Sequence, residues 1–123
     1  MSPDGLPYLP GIDKADGLQR MMNKPALYEK ILRDFHARLI DVAALIRAEA
    51  SAGNFNIAER QAHSAKGLAG AIGAHTLQAA ALDLELALHT GSMPEEDYFS
   101  RFENELTIVL DGIAIGFGIT ASQ

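Results

Sequence analysis

Residues 55–74 read FNIAERQAHSAKGLAGAIGA, and the fold is decided by how this stretch is read. On a helix turning 100° per residue, Ile57, Ala58, Ala65, Leu68, Ala69 and Ile72 gather on one face, with Gln61 as the one polar side chain among them. With His63 set at 0°, Arg60 falls at about +60°, Lys66 at about −60°, Gly67 at about +40° and Gly70 at about −20°. A helix over roughly 55–72, with Gly73 as a plausible terminator, thus turns its apolar side inward and presents His63 to solvent.

The same period runs outward in both directions. Upstream, Leu27, Ile31, Phe35, Leu39, Val42 and Leu45/Ile46 recur every three or four residues. They predict one amphipathic helix from Pro25, a favourable first position, to about Ala50, ended by Ser51-Ala52-Gly53-Asn54. Asp13 can cap a shorter helix through about Met22, with Ile12, Leu18 and Met21 as its apolar contacts. Downstream, Leu77, Ala80/Ala81, Leu84 and Leu88 mark a third long helix, stopped by Gly91-Ser92-Met93-Pro94. A fourth begins near Pro94-Glu95-Glu96, where acids suit a helix N-terminus, and buries Tyr98/Phe99, Phe102, Leu106, Val109 and Ile113. Gly112, Gly116 and Gly118 let its end fray. No segment alternates with period two between turn signals. The expected fold is all-α, an antiparallel four-helix bundle with a short additional N-terminal helix. Pro3, Pro7 and Pro10 mark residues 1–11 as an extended leader or linker end, residues 12–118 as the helical domain, and residues 119–123 as a C-terminal tail.

Composition narrows the function. At 123 residues and 48% hydrophobic, the chain can bury a real core as one domain. It has no cysteine, which excludes disulfides, thiolate metal sites and cysteine nucleophiles and fits a cytosolic protein. No run is apolar and long enough to span a membrane. A net charge of −6 argues against non-specific nucleic-acid binding, so the expected partner is a protein. His36, His63, His75 and His89 include no i,i+4 pair, and no metal site is expected.

A lone histidine is most often structural or merely exposed, and the neighbours of His63 are what distinguish it. A glycine inside a helix costs roughly 0.8–1.0 kcal/mol relative to alanine, so Gly67 and Gly70 together cost about 2 kcal/mol. Close approach of a partner to the helix backbone accounts for them better than chance exposure. Lys66, one turn from His63, can reach an oxygen of a phosphoryl group carried on the ring. Neutral imidazole is available as a nucleophile near neutral pH, and phosphoryl transfer rests on positioning and charge stabilisation. There is no Gly-rich nucleotide loop and no acidic metal cluster near His63, so the chain reads as a phosphocarrier and not a self-sufficient enzyme.

The stretch Ala62-His63-Ser64-Ala65-Lys66-Gly67, followed by Ile72-Gly73-Ala74 and by Leu77, Ala81 and Leu84-Glu85-Leu86-Ala87, resembles the signature of histidine-containing phosphotransfer (HPt) domains. Leu9-Pro10-Gly11-Ile12-Asp13 is similar to the entry of HPt domains at the C-terminus of hybrid sensor histidine kinases. The resemblance implies a two-component phosphorelay in which His63 is the phospho-acceptor, exchanging with aspartates of receiver domains. It also implies that Lys66 stabilises the phosphate, that Gly67 and Gly70 give docking clearance, and that Arg60 and Glu85 are auxiliary. Mg²⁺ is then supplied by the receiver and no cofactor is bound by the domain itself. The implied chain is a monomer when isolated, without nucleic-acid or membrane contact, and cytoplasmic, including as the cytoplasmic portion of a membrane-anchored kinase. Ala65 and Ala69-Gly70-Ala71 are smaller than the family pattern, which implies a thinner core beside the site. Two alternatives remain open: a helical adaptor that binds receivers without phosphorylation, and a histidine-kinase dimerisation bundle. Ser64 after His63 and Leu68 at +5 disfavour the second, where an acid and a proline are usual.

Overall fold

The structure, a computed structural model, describes residues 4–120. Among these residues the chain is all-helical, with no strand: α1 Lys14–Arg20, α2 Pro25–Leu39, α3 Val42–Ser51, α4 Phe55–Ile72, α5 His75–His89 and α6 Glu96–Phe117. No helix among them is long and apolar enough to cross a membrane.

Where one long helix was expected over 25–50, the structure has two, α2 and α3, parted at Ile40-Asp41. The apolar stripe runs through the break without losing step, since Leu39, Val42, Ile46 and Ala50 are all buried. The cause is local: Ile40, Asp41 and Val42 are three successive poor helix formers, two of them β-branched. Asp41 adopts φ −109°, ψ 3°, and its carbonyl accepts the Leu45 amide to begin α3. Arg47 then clamps α3 to α6 by pairing with Glu96 and Glu103 while lying 4.6 Å over the Phe99 ring.

The core is filled from every helix, and α4 lies at its centre, packed against α1, α2, α3 and α5. Its C-terminal end is held most tightly. Gly73 ends α4 in the left-handed region at φ +86°, its carbonyl accepts the Asp13 amide at 2.8 Å, and the buried Tyr28 hydroxyl donates to the Ile72 carbonyl at 2.6 Å. Burial, followed by the charges of Asp13 and Asp16, pushes the Tyr28 phenol above its usual range. Asp13 caps α1 as expected, its carboxylate accepting the Asp16 amide.

The 1–11 stretch requires a correction over the residues described. Leu6 and Leu9 belong to the core, and Pro7 and Pro10 sit where a Cβ on Gly116 or Gly112 would be. These two glycines, one turn apart on α6, form a groove for the segment, so the packed unit begins before residue 12 and the glycines are explained by contact, not fraying. At the other end Ile119 packs against the core, while residues 1–3 and 121–123 lie outside the described residues.

Candidate functional site

The site is made by how closely α4 and α5 approach. Ala58, Ala62, Ala65 and Ala69 line the buried side of α4 and are fully enclosed, and Ala80 and Ala81 do the same on α5. Small side chains at a helix crossing let the axes come together. The alanines that suggested a thinner core are therefore what draws the two helices close. Leu84 anchors α5 in the core, and its neighbour Glu85 is carried to the edge of the seam, opposite His63 and Lys66. The His63 Nδ1–Glu85 Oε2 distance is 2.8 Å, and Lys66 Nζ lies 2.9 Å from Glu85 Oε1.

The histidine ring itself is open, with 64% of the side chain exposed, whereas Glu85 is only 15% exposed. An ionised carboxylate can only accept, so Nδ1 carries the proton and donates to Glu85. Nε2 is left with the lone pair on an exposed ring. Lys66 pairs with the other carboxylate oxygen, the buried Oε1.

Burial acts to raise the Glu85 pKa, and the contacts from Lys66 and then His63 more than offset it, holding the carboxyl below its usual range. A folded-state pKa below the unfolded one contributes stability that is present above the unfolded value, about 4.3, and is lost as pH falls through the folded value. Glu85→Gln is accordingly expected to flatten the acid limb of a melting-temperature-versus-pH profile below about pH 4.3. An acid limb identical to that of the parent chain would remove Glu85 from this linkage.

The expected site residues divide on inspection. His63, Lys66 and Glu85 form one connected group. Gly67 is exposed, and a Cβ there would meet nothing within 4 Å. Gly70 is a correction: it is buried, and a Cβ would stand 2.6 Å from Gln78 Nε2. Its bareness serves α4–α5 packing where the helices converge on Gly73-Ala74, and it leaves no clearance for a partner. Arg60 is exposed and makes no ion pair among the described residues. Ile57, assigned to the inward face, is 45% exposed because α2 and α3 leave that flank of α4 uncovered.

One feature was not foreseen in the sequence. One turn along the same seam the roles are reversed, with Glu59 on α4 and His89 on α5 paired at 2.8 Å. Each of these residues looks like an ordinary surface group on its own helix, so only the register between α4 and α5 reveals the pair. No lysine joins it. A hollow of about 380 Å³ lined by Asn56, Glu59, Arg60, His63 and Glu85 lies between the two pairs. His75 Nε2 lies 3.0 Å from Asp16, tying α5 to α1. Among the described residues no three histidine, aspartate or glutamate side chains converge as a metal site would require.

The Hpt domain family model matches residues 30–113, more than half of the chain, and its span includes α3, α4, α5 and most of α2 and α6. No curated protein and no solved structure matches the chain. The family match and an exposed, carboxylate-oriented histidine with a lysine one turn away agree, and the chain belongs to the Hpt domain family, whose chemistry is histidine phosphotransfer in two-component signalling.

Proposed function

We propose that this domain is a phosphorelay intermediate, accepting a phosphoryl group on His63 from a receiver-domain aspartate and passing it to a second receiver. The observation that supports this best is Glu85, which holds Nδ1 and thereby leaves Nε2 as the nucleophile. In the forward step Nε2 attacks phosphorus, the P–N bond forms, and the aspartyl P–O bond breaks to return a carboxylate. No proton leaves the ring: Nδ1 keeps its hydrogen, and the positive charge that develops on the imidazole is met by the Glu85 carboxylate beside it. Lys66 meets the charge on the equatorial phosphoryl oxygens. Mg²⁺ belongs to the receiver. The bundle geometry belongs to the same proposal, with α2 and α3 as one broken rod antiparallel to α4, and with α5 and α6 completing four rods with α1 across one end. The short connections support it. The same reading has the isolated domain as a monomer in the cytoplasm, which the likeness of Leu9-Pro10-Gly11-Ile12-Asp13 to hybrid-kinase HPt domains supports.

Two experiments test the relay. Incubating the chain with a phosphorylated receiver is expected to give an acid-labile, base-stable label that chases onto a second receiver. Lys66→Ala should slow that transfer several-fold while leaving the chain folded. It is not free of structural cost, because the buried Glu85 Oε1 loses its pairing with Lys66, and a fall of about 1–2 kcal/mol in stability is expected. Unchanged transfer kinetics would reduce Lys66 to a partner of Glu85 alone.

Gly67 separates docking from packing. Gly67→Ala is expected to be neutral or to stabilise the helix by up to about 1 kcal/mol, since the added methyl enters open space. Gly67→Gln should also fold, and yet slow transfer by obstructing the receiver. A lowered melting temperature with normal transfer per folded molecule would reject the clearance role.

A further inference from the structure

A phosphoryl group on His63 brings more negative charge to the site than Lys66 alone can meet. Such a group carries about −1.5 to −2 charge near neutral pH, and beside acids it is opposed by like-charge repulsion. Two acids are at hand, since Glu59 and Glu85 both line the hollow of about 380 Å³ next to His63. Lys66 is already paired at 2.9 Å with the buried Oε1 of Glu85. Drawing it wholly onto a phosphoryl oxygen would leave that buried carboxylate oxygen unpaired, which is costly. A second cation is needed once the ring is phosphorylated.

Arg60 is the side chain placed to supply it. Arg60 and Lys66 bracket His63 on α4, one turn to either side and about 60° round the helix in opposite senses. Arg60 and His63 line the same hollow, together with Asn56. The chain has six arginines, and Arg20, Arg33, Arg47 and Arg101 are each in an ion pair. Arg60 makes none among the described residues. The residues one turn from it on its own helix are Asn56, Ile57, His63 and Ser64, and no acid is among them. Arg38 also makes no ion pair among the described residues, but Asp34 sits one turn before it and it does not line this hollow. The two acids of the hollow are taken by other partners, Glu59 by His89 and Glu85 by His63 and Lys66. An uncommitted guanidinium, whose planar fork matches phosphoryl oxygens, therefore stands beside the acceptor ring.

We infer that Arg60 binds the phosphoryl group once it is on His63, closing on its oxygens from the side opposite Lys66, and so poises the exchange with receivers toward the phosphorylated domain. That role rests on the phosphorelay reading and gives the two cations different work. Lys66 is shared between Glu85 and the group in transit. Arg60 has no competing acid, so its contact is added to the phosphorylated domain and is absent from the free one. A contact made in only one of two states shifts the balance between them.

The equilibrium constant for transfer tests this, because a pure docking contact changes forward and reverse rates together and leaves their ratio where it was. With a purified receiver that phosphorylates the parent chain, the ratio of forward to reverse rate constants is expected to fall about fivefold in Arg60→Ala and to be largely restored in Arg60→Lys. Arg38→Ala, an equal loss of charge away from the hollow, should leave the ratio unchanged. A second readout needs no receiver. Phosphoramidate delivers a phosphoryl group to the ring nitrogen with ammonia as the leaving group, and the ³¹P resonance of the labelled chain is followed against pH. A neighbouring guanidinium favours the dianion, so the midpoint of that titration should move up in Arg60→Ala. An unchanged ratio in Arg60→Ala, or an equal fall in Arg38→Ala, would overturn the role of Arg60 even with transfer slowed. A parent chain that takes no label from either donor would instead overturn the phosphorelay reading, and the role of Arg60 with it.

Discussion

Replacing His63 with glutamine is expected to abolish the acid-labile phosphoryl label altogether, the largest functional effect of any single change in this chain. Glutamine keeps a hydrogen-bonding group of similar reach but has no nucleophilic nitrogen lone pair, so the bond to phosphorus cannot form. The exposed position predicts little change in stability, within about 0.5 kcal/mol. The demanding comparison is His89, whose Nδ1 is held by Glu59 at the same 2.8 Å that separates His63 from Glu85. If an oriented imidazole were sufficient, His63→Gln would retain label at His89. If the adjacent lysine is needed as well, the variant should carry none, and peptide mapping after labelling distinguishes the two. Label persisting in the variant at His89 or His75 would defeat the assignment of His63 as the sole acceptor.

A second large effect is expected at Gly73, this time on the fold. Its backbone lies at φ +86°, and a Cβ there would stand 2.4 Å from the Asp13 carbonyl oxygen, a backbone atom that cannot swing aside. Gly73→Ala must therefore both strain the residue that caps the end of α4 and push away the segment whose amide bonds to the Gly73 carbonyl. The combined cost is expected to be about 3 kcal/mol, which lowers the melting temperature by roughly 10 °C. Gly53 is the internal control, with a similar φ of +82° and nothing within 4 Å of its Cβ position. Gly53→Ala should cost only the conformational part, about 1–2 kcal/mol. Equal losses in the two variants would mean that the close approach of α1 to the end of α4 contributes nothing.

The face of each helix was legible from spacing alone. The α4 stripe, the outward direction of His63, the placement of Lys66 one turn away and the open side of Gly67 all follow from a period of 3.6 residues, which is a property of one helix and needs no knowledge of its neighbours. The Asp13 cap and the Gly73 terminator are local in the same sense. The break at Ile40-Asp41 lay at the limit of such reasoning: the stripe continues through it, and only the run of poor helix formers marks it.

What periodicity does not encode is which element covers a given face, and how closely. His63 and Gly70 fall within about 20° of each other on the α4 wheel, yet one is open and the other is roofed by Gln78, because α5 converges on α4 toward Gly73. Leu6 and Leu9 carry no helical pattern, and their place in the core depends on the groove that Gly112 and Gly116 open for Pro10 and Pro7. Glu85, an unremarkable acid in sequence, becomes the residue that orients His63 and holds Lys66 only because alanines on both helices let the seam close to hydrogen-bonding distance. The amino-acid sequence by itself determined the all-helical class, the inward stripes of the helices and the outward direction of His63, since those are set by local geometry. The tertiary structure alone decided the partner of that histidine and which neighbouring positions are covered, since both depend on distances between residues far apart in the chain.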